Sequence, residues 1–316
     1  MRAVVTEACG ALPLVRDVPE PQPGPGELLV RVRASSLNAF DLAVVGGVSM
    51  GTVEHHFPMV LGRDFAGIVE GLGVGAKHFA VGDAVFGVVV KTGPSDGGFA
   101  ELVTVPESAG VARLPQGMDA VQAGALGFAG LAALASVGVF EPEGLQLLNT
   151  ADPTVLISGA TGGVGSFATQ MAARRGLHVI ATARADETVD FVRGLGASDA
   201  VDYTADVAAQ VRALRPGGVE AVLHYAGDGR ALADLIVPGG RLVSTLGLGH
   251  GQFAGRHLTA VAVMEQPSEE ALDGLAALVV LGALRVPITR TYALDEAPQA
   301  FAEFAGTLGK AAVVIG

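Results

Sequence analysis

The stretch LISGATGGVGS, residues 156–166, holds four glycines within seven residues and carries no charge. An apolar run, TVLIS, leads into it, and an amphipathic run, SFATQMAARRG, leaves it. Bare backbone between a strand and a helix suits one chemical task. Glycine at 162 lets a pyrophosphate approach the main chain, and glycine at 165 lets the helix pack closely on the strand. The helix N-terminus then offers unpaired N–H groups and a partial positive charge to the anion. The usual pattern is G-x-G-x-x-G; Ala160 stands at its first place here, with Gly162 and Gly165 at the others. The candidate dinucleotide contacts are therefore Ala160, Thr161, Gly162, Gly163, Val164 and Gly165. A tight turn with no ligand is the alternative.

The end of the next strand decides which dinucleotide. An NADH site places Asp or Glu there, to accept hydrogen bonds from the ribose hydroxyls. This chain reads LHVIATAR and puts Arg184 at that place. Arginine cannot accept those bonds, and its planar fork can clamp a 2′-phosphate. Tyr203, closing the run AVDY, can stack near the same adenine end. NADPH is the expected cofactor. Asp186 and Glu187 just beyond keep NADH open, as does an ordinary surface role for Arg184.

Two kinds of element must position these residues. Up to about residue 115, short β-branched runs (RAVVTEA, ELLVRVRASSL, DFAGIVEGLG, AVFGVVV, FAELVTVP) are separated by Pro and Gly turns such as PEPQPGPGE. After about residue 120, strand-like runs (TVLISGA, LHVIATA, EAVLHYA, GRLVSTLG, HLTAVAV) alternate with helical ones. That alternation predicts βαβ crossovers and a parallel sheet covered on both faces. The tail reads as a helix, an extended run, a second helix and a closing strand, KAAVVIG.

Composition narrows the partners. A chain of 316 residues, half of them hydrophobic, can build two ordered domains. A formal net charge of −12 argues against nucleic acid and against an anionic membrane surface. Cys9 is the single cysteine, so neither an internal disulfide nor a thiolate-built metal site is available. Val121–Phe140 is free of charge but rich in glycine and alanine, and reads as a buried helix rather than a membrane span. The N-terminus MRAVVTEACG has no secretory pattern, and a cytoplasmic location is expected.

SSLNAFD (35–41), PMVLGRDFAGIVEGLG (58–73), FAVGDAVFG (79–87), GGFAELVTVP (97–106), SGATGGVGSFATQMA (158–172), GLGASDAVDY (194–203), PGGRLVSTLG (238–247) and GKAAVVIG (309–316) follow one another in order. In these, the chain resembles the zinc-independent, quinone oxidoreductase-like branch of the medium-chain dehydrogenase/reductase superfamily. The resemblance implies an α/β fold: a GroES-like β-rich catalytic domain, residues 1–120 and 265–316, and a Rossmann-type doubly wound parallel-sheet domain, residues 121–264. Zinc-dependent relatives carry Cys where this chain has Asn38, and His-Glu where it has Arg63-Asp64. Both replacements are poor ligands, so no catalytic metal is expected. The run after Asp41, LAVVGGVSMG, lacks the arginine and aromatic residue that relatives often place there, which implies a more open, apolar pocket.

By the same resemblance, Asn38 lies near the nicotinamide and substrate, with Asp41 ordering its loop, although a turn-stabilising role fits either residue. Tyr225, at the carboxyl end of a Rossmann strand, is a candidate proton donor or a packing residue, with His224 on the opposite face of the strand. Leu246 and Gly247 are expected to line the nicotinamide cleft. Lys310 matches the family's GK near the C-terminus and is a candidate cofactor contact, with a structural role as the alternative. The implied activity is NADPH-dependent, metal-independent hydride transfer to a small-molecule quinone or α,β-unsaturated carbonyl. An enoyl-thioester reductase, a pathway-specific enone reductase, and a non-catalytic NADPH-binding sensor or scaffold are the alternatives. A homodimer is expected, with the strand HLTAVAVM pairing to its two-fold copy.

Overall fold

The computed structural model describes residues 1–47, 55–91, 96–138, 152–184, 187–264 and 267–316. The end of LAVVGGVSMG, residues 92–95 of the KTGPSDGG run, Phe140 at the end of the charge-free stretch, and Asp186 therefore lie outside the described residues. The chain forms two units, Met1–Leu131 with Pro267–Gly316, and Ala132–Gln266.

The first unit begins with β1 (Arg2–Thr6), β2 (Leu14–Asp17), β3 (Glu27–Leu37), β4 (Met59–Val60), β5 (Asp64–Leu72), β6 (Ala84–Val88), β7 (Leu102–Pro106) and β8 (Val111–Arg113). Its spine is β3. Alternate side chains Leu28, Val30, Val32 and Ala34 are buried there, as the period of two in ELLVRVRASSL requires. Phe65, Phe99 and Val103 pack into the same core.

The second unit carries β9 (Thr154–Ser158), β10 (His178–Ala183), β11 (Asp199–Asp202), β12 (Val219–His224), β13 (Ile236–Ser244) and β14 (Thr259–Ala262). They form one six-stranded sheet in the order β11-β10-β9-β12-β13-β14, and each neighbouring pair is parallel. Every residue of β9 is buried, as expected of a central strand covered on both faces. The strand order reverses at β9, and ligands bind at the carboxyl ends of strands beside such a point.

The tail returns to the first unit. Its strands are β15 (Ile288–Ala293) and β16 (Lys310–Val314), which complete a seven-stranded sheet in the order β15-β16-β3-β5-β6-β8, with β7 also paired to β3. A smaller sheet has the order β2-β1-β4. Strand β16 runs antiparallel to β3 with Ala311 opposite Leu37, a register that brings Lys310 beside Asn38. A GroES-like β domain and a Rossmann-type domain thus make up the fold. Within the charge-free stretch, the helix covers Gly127–Gly138, and no described helix is long and apolar enough to cross a membrane.

Candidate active site

The glycine turn begins where β9 ends. Gly159 takes φ of 72°, a left-handed conformation that glycine adopts without strain, and its N–H donates to Thr182 Oγ1 on β10 at 2.9 Å. The Gly162 N–H closes the turn on the Gly159 carbonyl at 3.1 Å. The helix Gly163–Arg174 follows, with Gly162 as its N-cap and no side-chain cap. The two pattern glycines differ in an informative way. A Cβ on Gly165 would lie 2.2 Å from the Gly159 oxygen and 2.6 Å from Ala160 Cα, so the protein itself demands glycine there. A Cβ on Gly162 would meet only the Gly159 oxygen at 3.5 Å, an ordinary contact. The fold does not require Gly162 to be bare. An anion approaching the uncapped helix end would. Ala160 is fully buried, so its methyl group is accommodated inside the turn.

Arg184 follows β10 directly and is exposed. The Tyr203 N–H donates to the Ala183 carbonyl at 3.2 Å, which sets Tyr203 beside the start of Arg184, and half of the tyrosine is exposed (51%). Asp202 is held below the ordinary carboxylate range, first by the Thr204 N–H and hydroxyl and last by the positive charge of Arg184. Two of the predicted cofactor residues are therefore neighbours at one strand edge.

Leu246 and Gly247 follow β13 on an exposed turn, with Gly247 at φ of 79°. This turn is anchored from inside. The Leu246 N–H donates to Ser244 Oγ at 3.0 Å, and Ser244 Oγ lies 3.0 Å from His224 Nδ1. His224 Nε2 lies 3.0 Å from the Gly227 carbonyl. That carbonyl can only accept, so Nε2 carries the proton and Nδ1 accepts from Ser244. His224 is thus buried and engaged at both ring nitrogens.

The Tyr225 N–H donates to the Ser158 carbonyl at 3.2 Å, which ties the residue to the end of β9. The residue is partly exposed, but its hydroxyl oxygen is buried and has no hydrogen-bond partner among the described residues. Burial pushes the phenol above its ordinary range. Ser136 lies near enough to oppose that rise, yet its own hydroxyl is given to the Ala132 carbonyl at 2.7 Å. A phenol in that position is poorly placed to hand a proton to a ligand. Tyr225→Phe should therefore keep kcat within about twofold of the parent and gain about 1 kcal/mol of stability, by removing an unsatisfied buried group. Steady-state kinetics and denaturant unfolding check this; a large fall in kcat would restore the proton-donor role.

Asn38 and Lys310 meet in the first unit, 6% and 1% exposed. The Lys310 ammonium donates to Asn38 Oδ1 at 2.6 Å, and Asn38 Nδ2 donates to Asp64 Oδ2 at 2.8 Å and to the Ser36 carbonyl at 3.2 Å. Sequence reasoning overlooked the hub of this cluster, Asp64. Its Oδ2 also accepts from Ser36 Oγ at 2.6 Å and lies 3.5 Å from Lys310 Nζ, while its Oδ1 accepts the Phe128 N–H at 2.7 Å. The Asn38 N–H donates to Asp41 Oδ2 at 2.8 Å. Burial pushes the Asp41 carboxyl up to about 7, against the pull of that N–H. Burial likewise lowers the Lys310 ammonium, opposed by Asp64 and Asp41. The contact follows from the β3–β16 register, which places residues 38 and 310 side by side and which no local stretch of sequence signals.

Known proteins fit this architecture. Residues 24–116 match the alcohol dehydrogenase GroES-like domain, and residues 195–313 match the zinc-binding dehydrogenase domain. The chain is 31% identical over 300 residues to the chloroplast envelope quinone oxidoreductase homolog of Arabidopsis thaliana, covering 90% of this chain and 88% of that protein. Among solved structures, the quinone oxidoreductase from Coxiella burnetii superposes with a TM-score of 0.88 at 27% identity, over 100% of this chain and 99% of that one. Mycobacterial Rv1454c, solved as a complex with NADPH, gives a TM-score of 0.83 at 26% identity over 99% of both chains. The chain belongs to the quinone oxidoreductase-like branch of the medium-chain dehydrogenase/reductase superfamily. It is an oxidoreductase.

Proposed function

We propose that this oxidoreductase is a metal-independent reductase that moves a hydride from NADPH to a quinone or an α,β-unsaturated carbonyl. The observation that carries the reading is the turn at Gly162, bare where the fold has room for a side chain and set at an uncapped helix N-terminus. In this reading the N–H groups after Gly162 hold the pyrophosphate. Arg184 clamps the 2′-phosphate, and Tyr203 covers the adenine. The Ser244-anchored turn at Leu246 and Gly247 supports the nicotinamide. Once bound, NADPH supplies the hydride; the chain's task is to orient it and exclude water. The NADPH bound by the mycobacterial relative supports this choice of cofactor.

Zinc chemistry does not suit the residues present. Asn38 Oδ1 lies 2.6 Å from an ammonium group, and Arg63 is itself a cation, so a divalent ion would meet positive charge from two sides. The acceptor must then be one whose conjugation spreads the incoming charge, which quinones and enones share. The quinone oxidoreductase relatives point the same way.

Steady-state kinetics of Arg184→Leu test the cofactor assignment. The KM for NADPH should rise about tenfold or more, the worth of a hydrogen bond to a charged group, with little change for NADH. Equal effects on both cofactors would remove Arg184 from the phosphate site. We further propose a homodimer in which β14, at the edge of its sheet and followed by the exposed Met264, pairs with its copy. A single-chain mass in solution would contradict it.

A further inference from the structure

We propose that His224 is a positioning residue of this reductase: its imidazole ties the turn that carries Leu246 and Gly247 to the turn that follows β12, and so fixes the surface on which the nicotinamide ring rests. The inference rests on the function proposed above and gives a part in it to a buried residue that reading leaves unused.

The register sets Ser158, His224 and Ser244 side by side at the carboxyl ends of β9, β12 and β13. A neutral imidazole with its proton on Nε2 has one acceptor and one donor, in divergent directions. The acceptor takes the Ser244 hydroxyl proton, which leaves Ser244 Oγ to receive the Leu246 N–H; both contacts are 3.0 Å. The donor reaches the Gly227 carbonyl, also at 3.0 Å. The ring is wedged as well as bonded. A Cβ on Gly229 would lie 2.8 Å from His224 Cε1 and 2.9 Å from Nδ1, so bare backbone packs directly against the imidazole. Gln252 brackets the same turn: the Gly249 N–H donates to its Oε1 at 2.9 Å, and its Nε2 donates to the Gly247 carbonyl at 3.2 Å. The turn so held presents Leu246, an apolar side chain 55% exposed.

Stability alone does not call for this arrangement. Buried positions of a parallel sheet are ordinarily filled by aliphatic residues, which bring no polar atom to satisfy. An imidazole brings two, and both must find partners. What it adds is direction: it links two turns at the edge where a doubly wound sheet binds its ligand. Hydride transfer is steep in the placement of the reacting carbon, and an error of about 1 Å can cost about 10²-fold in rate. His224 acts through Ser244 and the main chain of Leu246, and its Nε2 proton stays in place throughout. Arg184 and Tyr203 follow β10 and β11, across β9 from this linkage, so the adenine half of the cofactor is held independently of it.

The test compares the parent protein with His224→Leu, His224→Asn, His224→Gln and Ser244→Ala. It measures turnover with an ortho-quinone and a simple enone, binding of adenosine 2′,5′-bisphosphate (the adenine half of NADPH), and thermal unfolding. His224→Leu and Ser244→Ala should each lower kcat by about 10–100-fold, while the bisphosphate binds with parent affinity. Asparagine can set an oxygen where Nδ1 stands and keep the Ser244 contact, so His224→Asn should recover most of kcat. Glutamine can reach only Gly227, so His224→Gln should recover less. Ser244→Ala carries the comparison should His224→Leu not fold. Parent-like kcat in the folded variants would overturn the assignment. So would an equal loss of bisphosphate affinity, or a His224→Asn no better than His224→Leu. A parent protein that reduces neither acceptor fails the proposed function itself, before any variant is compared, and takes this inference with it.

Discussion

Gly165→Ala is expected to cost about 3 kcal/mol of stability or more, while Gly162→Ala should cost less than about 1 kcal/mol. The difference comes from what a methyl group would meet. At 165 it would press on main-chain atoms at 2.2 and 2.6 Å, which cannot move without shifting the turn itself. At 162 it would find an ordinary contact at 3.5 Å. The ranking should reverse in function per folded molecule. Gly162→Ala should fold normally and, if the proposed site is right, bind NADPH at least about tenfold more weakly, because in that proposal the methyl group takes the space of the pyrophosphate. Denaturant unfolding gives the first comparison and fluorescence titration the second. Parent-like NADPH binding by Gly162→Ala would remove the pyrophosphate from this turn.

The second large effect belongs to the buried cluster. Lys310→Met should destabilise the protein by about 3–5 kcal/mol, since it leaves Asp64 buried without its cation. Lys310 and Asp64 are 1% and 0% exposed, so water cannot step in cheaply. The double variant Lys310→Met with Asp64→Asn should lose less than the sum of the two single changes, because neither partner is then left charged and alone. Unfolding of Lys310→Met at the parent denaturant concentration would show that the cluster contributes nothing net. This placement also revises how Lys310 serves the site: its ammonium orients the Asn38 amide.

Those two cases mark what a sequence reader can and cannot see. The glycine turn is local: strand, bare backbone and helix follow within a few residues, and Arg184 and Tyr203 close the next strands of the same sheet. Each was legible from spacing. The tail's return to the first sheet was implied by resemblance, but the register that sets Lys310 on Asn38 joins residues 272 positions apart. Nothing in either local stretch encodes that distance. Asp64 was read only as a substituted neighbour of a lost ligand, because its four contacts come from other segments. Thr182 and Ser244 are small polar residues inside strands, and only the structure shows that each anchors a turn at a strand end. Tyr225 was correctly set at a strand end, yet the direction of its hydroxyl is decided by the packing around Ser136.

The measurement that bears most directly on the central claim is the rate of NADPH consumption with an ortho-quinone and a simple enone, in the presence of a strong metal chelator. Turnover should be unchanged by the chelator and should fall when NADH replaces NADPH. Loss of turnover on chelation, or equal rates with the two cofactors, would contradict it.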